Sequence, residues 1–443
     1  MNQKLFSRLL LGATAVLLLI PQLCSESNGP DDRITIGLPK IHSGDEPHYF
    51  ITLYSLLNDG DLDLRNNYQS VHQGGIDAGV RMSGQALDHH TIWVQEGTMI
   101  PWADVYLGWG EQWNVDEQSR PVPTQKSNSH HSRGHSPEYS THPAGYPFVL
   151  AALTFGLAGS DMLEPAAVSL SWIASIWAMS SMMALLKTFQ LSNLKCAGVV
   201  MLICLGTPIW HYSRAMFCEI WLLAFAVAAF SAMLNSQNGF WIGALIGLGT
   251  LMKPPFALLG VVLLFAAILQ RNWKLFLSTS IPMLVGMALM LGLNYYMFGS
   301  ILRSPQSWRW GNFWVGASEL MFSPSHGLLL FAPISFLAAS TWPEFLERTG
   351  GHGRLLLIGF LSYFGVMASW EIWDGGYCYG PRLILPVVPL FLIPLIDFDW
   401  SFRSLSSRFG WGLAMLSILI NGLGAIPYWR AWNQHPLVQW IGS

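Results

Sequence analysis

Residues 275–298, LFLSTSIPMLVGMALMLGLNYYMF, decide the fold class of this chain. The segment has no Asp, Glu, Lys or Arg, and as one helix it is long enough to cross the roughly 30 Å hydrocarbon core of a bilayer. Further apolar segments lie at 165–187, 196–212, 217–234, 239–253, 256–270, 326–341, 355–371, 383–397 and 409–427. With 52% hydrophobic and only 11% charged residues, the chain is predicted to be a helical integral membrane protein.

Another apolar run, Leu9 to Ile20, follows Lys4 and Arg8. The basic residues before it favour a retained anchor with a cytoplasmic N-terminus, and a cleaved signal peptide is the alternative. Basic residues then recur in alternate loops at 187–195, 271–274, 347–354 and 403–408, which the positive-inside rule places in the cytoplasm. The pattern predicts an all-α polytopic protein with about eleven transmembrane helices and an external C-terminus.

The polar segment that follows the first span is too long for a simple connector. Residues 25–160 are therefore predicted to form a large extracytoplasmic loop. Within it, 49–57 and 146–157 are expected to be juxtamembrane helices, because a crossing at 146–157 would reverse the sidedness of the loop at 187–195. The predicted division is an anchor at 1–24, the loop at 25–160 with candidate catalytic acids, and a bundle at 161–443 with external loops 299–325 and 371–382.

A few charged residues collect on the predicted external side. Asp45 and Glu46 lie just outside the first span, where acids in such an apolar chain are candidates for chemistry. Capping of a helix that begins near Pro47 is the structural alternative. Glu219 begins a span, and an ion pair with Arg214 would explain both residues.

Two cations, Lys253 and Arg382, each stand at the external end of a predicted span. Snorkelling to lipid headgroups explains either cation alone. Together with nearby acids, however, they could hold a lipid-linked phosphate while a carboxylate accepts a proton.

The composition argues against other kinds of partner. The net charge of −3 leaves no basic stripe for nucleic acid. A His-rich tract at 127–135 is a weak metal candidate, because such tracts are usually just solvated, and no metal ligands are assigned. Trp308, Trp310, Trp370 and Trp373 are interpreted as interface aromatics, with sugar stacking as the alternative.

The ordered motifs of the chain resemble those of polytopic GT-C glycosyltransferases, in particular bacterial protein O-mannosyltransferases and aminoarabinose transferases. The motifs are 44–49 (GDEPHY), 60–64 (GDLDL) with Asn67 and Tyr68, 142–147 (HPAGYP), 212–214 (YSR) with Glu219, 253–255 (KPP), 294–300 (NYYMFGS), 322–328 (FSPSHGL), 373–377 (WDGGY) and 380–382 (GPR). The resemblance implies a GT-C fold, an external active site and a sugar donor carried on a polyprenyl phosphate.

The resemblance also implies roles for individual residues. Asp45 matches the catalytic base, Glu46 its acidic neighbour, and Glu219 a second acid that is often Asp in relatives. The donor phosphate is expected to contact Lys253, Arg382 and Arg214. Substrate is expected to contact His48, Tyr49, His142, Tyr146, Tyr295, His326, Trp373 and Asp374. Some relatives use a divalent metal at the acids, and the cofactor is left open here.

The expected function is inverting transfer of a sugar from the lipid donor to an extracytoplasmic glycan, lipid or protein, in the inner (cytoplasmic) membrane. The bilayer, the donor and the acceptor are the expected partners. The alternative is a membrane transporter, or a protein that binds or polymerises lipid-linked glycans, using the same acids and cations to bind its ligand.

Overall fold

The computed structural model describes residues 3–26, 34–41, 45–67, 91–95, 98–101, 113–115, 121–123, 137–235, 238–306, 308–376, 378–426 and 435–438. The prediction of a mostly helical chain is confirmed. The helices are α1 (Gln3–Leu23), α2 (Glu46–Asn58), α3 (Gly145–Thr154), α4 (Leu163–Lys187), α5 (Asn193–Leu205), α6 (Ile209–Tyr212), α7 (Cys218–Leu234), α8 (Gly239–Met252), α9 (Ala257–Leu269), α10 (Trp273–Phe298), α11 (Phe313–Phe322), α12 (Leu328–Phe331), α13 (Ser335–Thr349), α14 (Gly351–Ala368), α15 (Val388–Leu392) and α16 (Leu405–Ala425).

Short antiparallel strands accompany the helices in the N-terminal part of the chain. They are β1 (Cys24–Glu26), β2 (Ile34–Ile36), β3 (Thr91–Gln95), β4 (Thr98–Pro101), β5 (Trp113–Val115), β6 (Pro121–Pro123) and β7 (Glu138–Ser140). Strand β1 pairs with β2, β5 pairs with β6, and β4, β3 and β7 form a three-stranded sheet in that order.

The protein is an integral membrane protein, as its apolar helices indicate. Among the described residues, four helices, α1, α4, α10 and α14, are long and apolar enough to cross a bilayer. Shorter apolar helices coincide with most of the other predicted spans. The number of crossings and their direction stay predictions.

The structure differs from the predicted spans where prolines interrupt the chain. The apolar segment 326–341 is not one helix: α12 ends at Phe331, and α13 begins only at Ser335. Pro333 lies in this break and has no N–H to donate to a helical hydrogen bond. Segment 383–397 likewise consists of 3-10 turns at Arg382–Val387 and Ile393–Ile396 on either side of α15, with Pro386, Pro389 and Pro394 within it.

The chain divides into two compact units. Unit 1 comprises Met1–Pro39, Ser169–Gly286 and Trp308–Ser443. Its helix α7 is buried over nearly all its length, as expected for a helix that is apolar on every face. Glycines at 239, 243 and 247 bring α8 close to α10, because a Cβ atom at each of them would collide with α10. Small residues of this kind permit close helix packing in membranes.

Unit 2 comprises Lys40–Val168 and Met287–Ser307. Helix α2 packs against α3 in this unit. A small core forms from the buried side chains of Leu62, Tyr139, Ala144, Met297 and Phe298. The Tyr139 ring meets the Phe298 ring edge-on at 5.8 Å, which joins β7 to the end of α10.

Candidate active site

The candidate base Asp45 occupies the N-cap position of α2. Its backbone carbonyl accepts from the N–H of Tyr49 at 3.1 Å, so the main chain already begins the helix. Its side chain makes no capping hydrogen bond. The capping alternative therefore does not account for the Asp45 carboxylate. Glu46, at the first position of α2, is buried in the helix's first turn, where the helix dipole favours a carboxylate.

The Asp45 carboxylate lies beside an imidazole. Its Oδ1 is 3.8 Å from Nε2 of His142, and both side chains are largely buried. The His142 ring lies 5.6 Å from the ring of His48 and 5.1 Å from that of Tyr49, and the Tyr49 ring meets Tyr146 edge-on at 5.0 Å. We call these five residues the acid–histidine cluster. A carboxylate held among imidazoles in a buried setting can accept or hold a proton.

Hydrogen bonds from the turn after α2 position the strand that leads to His142. The turn begins at Gly60, whose φ of +78° favours glycine. The Asp63 Oδ1 accepts from the Glu138 N–H at 2.9 Å, and the Leu64 N–H donates to the Glu138 carbonyl at 2.8 Å. These bonds tie β7 to the turn. The His142 N–H in turn donates to Ser140 Oγ at 3.1 Å.

A second cluster in unit 1 combines one acid with two cations. The Lys253 Nζ donates to Glu219 Oε1 at 2.8 Å, and the Arg382 Nε lies 3.6 Å from the same oxygen. All three side chains are buried, so the two cations do not extend into solvent as snorkelling residues would. We call Glu219, Lys253 and Arg382 the cation cluster. Two buried cations around one carboxylate can bind a further anion.

The fold brings the three residues together from separate elements. Glu219 lies in the first turn of α7, where the helix dipole favours a carboxylate. Lys253 caps the C-terminus of α8, where the dipole favours a cation. Arg382 follows Pro381, and its Nη2 donates to the carbonyl of Gly375 at 2.7 Å. Gly375 has a φ of +73°, which suits glycine in the turn that presents this carbonyl.

Several supporting residues lie outside the candidate site residues that the sequence predicts. The Arg382 guanidinium lies 4.9 Å from the centre of the Phe217 ring, a cation–π contact. The Tyr212 hydroxyl donates to the carbonyl of Tyr379 at 2.9 Å, and His211 stacks on the Tyr379 ring at 4.2 Å. These contacts hold the segment that carries Arg382. The motif at 212–214 includes Tyr212, whereas Phe217 and Tyr379 belong to none of the motifs found in the sequence.

The remaining candidate residues are placed in different surroundings. Arg214 is buried before the start of α7. The His326 Nδ1 lies 2.9 Å from Ser325 Oγ, and its ring meets Trp373 edge-on at 6.1 Å. Asp374 accepts from the N–H of Gly376 at 3.1 Å. Tyr295 is 63% exposed on α10, so its ring faces outward.

The His-rich tract at 127–135 lies outside the described residues. Within the parts of the chain that the structure describes, no group of three or more His, Cys, Asp or Glu side chains could hold a metal ion.

Comparison with known proteins gives the fold. The chain is similar to ArnT from Cupriavidus metallidurans in the apo state, with a TM-score of 0.52 at 13% identity. It is also similar to ArnT from the same organism bound to undecaprenyl phosphate, with a TM-score of 0.50 at 14% identity. Each match covers 94% of this chain, which spans 63% of the ArnT chain's length. No protein-family model and no curated protein matches this chain. The resemblance to GT-C transferases is thus confirmed at the level of the fold.

Proposed function

We propose that this chain is a GT-C-type glycosyltransferase that moves a sugar from a polyprenyl-phosphate donor to an extracytoplasmic acceptor, with inversion at the anomeric carbon. The observation that carries the proposal is the cation cluster in a chain with the fold of ArnT. One ArnT structure is bound to undecaprenyl phosphate, a lipid of the class that the proposed reaction releases.

The proposal assigns the donor phosphate to Lys253 and Arg382. Cations outnumber carboxylates two to one among the three side chains of the cluster, so a phosphate can join them with favourable charge. Glu219 contacts both cations and offsets the cost of burying them. Arg214, buried and close in sequence to Glu219, is assigned to the same phosphate.

Phosphate is a good leaving group when cations stabilise its charge. In the proposed step, the bond between the anomeric carbon and the phosphate oxygen breaks, and its electron pair stays on the phosphate that Lys253 and Arg382 contact. No general acid is needed at this oxygen, because the cations stabilise the charge that develops there. The products are the glycosylated acceptor and a free polyprenyl phosphate.

Asp45 is assigned the role of base. An acceptor hydroxyl attacks the anomeric carbon from the face opposite the phosphate, and its proton passes to the Asp45 carboxylate. A single displacement of this kind inverts the configuration. A positioned base contributes about 100- to 10,000-fold in rate. The Asp45 side chain suits this role because it does not cap α2, and its Oδ1 lies 3.8 Å from Nε2 of His142. His142 is proposed to hold the carboxylate in place.

The proposal also includes the cellular arrangement. We propose that the chain lies in the inner membrane with eleven crossings, a cytoplasmic N-terminus and both clusters on the extracytoplasmic side. Fusion of alkaline phosphatase, which is active only outside the cytoplasm, tests this arrangement. Fusions within 299–325 should be active, and fusions at 271–274 should be inactive. The reverse pattern would contradict the proposed sidedness.

The function is tested with purified protein, a panel of radiolabelled polyprenyl-phosphate sugars, and membrane extract as acceptor. We expect one donor of the panel to pass its label to a component of the extract. Donor binding without transfer, even with fresh extract from the native host, would instead favour the alternative of a lipid-linked-glycan binding protein. Binding of no donor would contradict the proposal and favour a transporter.

A further inference from the structure

Three tryptophans of unit 1 form an aromatic platform that the proposed reaction does not use. The rings of Trp308 and Trp370 stack with centres 5.3 Å apart and planes within 9°. The ring of Trp310 meets Trp308 edge-on at 5.6 Å. Trp370 is buried, whereas Trp310 is 75% exposed. One exposed indole thus rests on a packed pair.

The backbone fixes this platform. Residues Trp310 and Trp370 form an antiparallel bridge. On either side of it, the Gly311 N–H donates to the Ser369 carbonyl at 2.8 Å, and the Glu371 N–H donates to the Arg309 carbonyl at 3.0 Å. These hydrogen bonds hold the backbone that carries Trp310 in place. The backbone therefore loses little conformational freedom when a ligand binds, which favours affinity.

A charged pair flanks the backbone bridge between Trp310 and Trp370. The Arg309 Nη1 lies 4.0 Å from Glu371 Oε2, and these side chains are 74% and 53% exposed. The indole N–H groups of Trp308 and Trp370 are buried and have no hydrogen-bond partner among the described residues. A buried donor without an acceptor is costly and rare, so each of these groups calls for an acceptor that arrives with a ligand or water.

We propose that the aromatic platform binds a pyranose ring of the acceptor, which makes the acceptor a saccharide. One face of a pyranose carries C–H groups that pack on an indole, and its edge carries hydroxyls. Those hydroxyls can accept from the two indole N–H groups, which lack a partner among the described residues. A membrane-interface role would need the exposed ring alone and leaves the two buried indole N–H donors unexplained.

The platform is connected to the cation cluster within unit 1. The segment that follows Trp370 runs through residues 371–374 to Gly375, whose carbonyl accepts from Arg382. The same short loop therefore carries the proposed saccharide contact at one end and supports a proposed phosphate contact at the other. The role as acceptor rests on the proposed function, whereas the binding of a saccharide does not.

Saturation-transfer NMR with the detergent-purified full chain tests the proposal. The probes are the methyl β-glycosides of glucose, galactose, mannose and N-acetylglucosamine. We expect at least one to receive saturation on the ring protons of a single face. Trp310→Ala should weaken its binding about tenfold, the upper range of one aromatic contact. Trp370→Phe keeps a ring but deletes one N–H, and it should weaken binding severalfold.

Trp314→Ala is the matched control, because Trp314 is 78% exposed on α11 and its ring contacts Phe313. This variant should bind the glycosides like the parent. Absence of saturation for every glycoside, or equal losses in the Trp310 and Trp314 variants, would overturn the proposal. Undecaprenyl phosphate binding by Trp310→Ala, measured alongside, should be unchanged and shows that the variant is folded.

The proposed saccharide site and the proposed transferase activity can be refuted independently of each other. Sugar transfer to a non-saccharide acceptor without glycoside binding would overturn only the platform's role. Glycoside binding at Trp310 without any transfer would support the platform and count against the transferase.

Discussion

Replacement of Glu219 by Gln tests the electrostatics of the cation cluster. At an effective dielectric constant of about 20, a carboxylate attracts a cation 2.8 Å away by about 6 kcal/mol and one 3.6 Å away by about 5 kcal/mol. Desolvation of the buried charges offsets much of this attraction. The change leaves Lys253 and Arg382 buried without their carboxylate, and breaking a buried pair in this way costs about 3–5 kcal/mol.

A second variant separates the charge effect from a simple loss of packing. Glu219→Gln combined with Lys253→Met removes one of the two stranded cations, so we expect the double variant to recover about 1–3 kcal/mol relative to Glu219→Gln. The free energy of unfolding is measured by titrating detergent-solubilised protein with SDS and following tryptophan fluorescence.

The same experiment contains a functional readout. A phosphate that enters between the cations takes over the role of the missing carboxylate. Undecaprenyl phosphate should therefore stabilise Glu219→Gln more than it stabilises the parent. If Glu219→Gln unfolds within about 0.5 kcal/mol of the parent, as an ordinary surface change does, the reasoning is wrong. It is also refuted if the double variant is no more stable than the single one.

Three further predictions concern Arg382, Tyr139 and Gly243. Arg382→Ala should weaken binding of the polyprenyl-phosphate donor about 10- to 100-fold through the lost charged contact. Arg348→Ala should not change it, because Arg348 pairs with Asp397 and not with a residue of the cation cluster. Burial, followed by the charges of neighbouring groups, raises the pKa of Tyr139 to about 12. The folded protein therefore keeps the Tyr139 proton at a pH where the unfolded chain has lost it, so the free energy of unfolding should fall between pH 10 and 12. When unfolding is measured at each pH, this fall should be less steep in Tyr139→Phe. Gly243→Ala should destabilise the protein by about 1–3 kcal/mol, because its Cβ would overlap the backbone of α10. Gly198 lies in α5 with open space around it, so Gly198→Ala should be neutral or slightly stabilising in the same unfolding assay.

The sequence predicted several helices well, including α10, which continues through Pro282. The juxtamembrane helix expected at 146–157 matches α3 and the turn Phe155–Leu157, and the short helix expected at 49–57 lies within α2. At 326–341 hydropathy alone was misleading. Hydropathy measures only the length of an apolar run, whereas Pro333 interrupts the helical hydrogen bonds within this one because it has no N–H to donate.

The candidate site was less accessible to sequence reasoning. Charge and predicted sidedness placed Glu219, Lys253 and Arg382 on one side of the membrane, but their contacts join distant segments, and no local pattern indicates which cation meets which acid. Helix statistics favoured a capping role for Asp45. The structure instead turns its carboxylate toward His142, a contact that depends on how β7 is tied to the turn after α2.

The most direct test of the transferase account is a single turnover with Asp45→Asn. Protein saturated with the radiolabelled polyprenyl-phosphate donor is mixed with acceptor, and transferred label is followed over time. Asp161→Asn, a change at an exposed acid of the same unit, is the control. We expect Asp45→Asn to bind donor like the parent and to transfer label about 100- to 10,000-fold more slowly, while Asp161→Asn transfers normally. Transfer by Asp45→Asn at the parental rate would contradict the role of Asp45 as base.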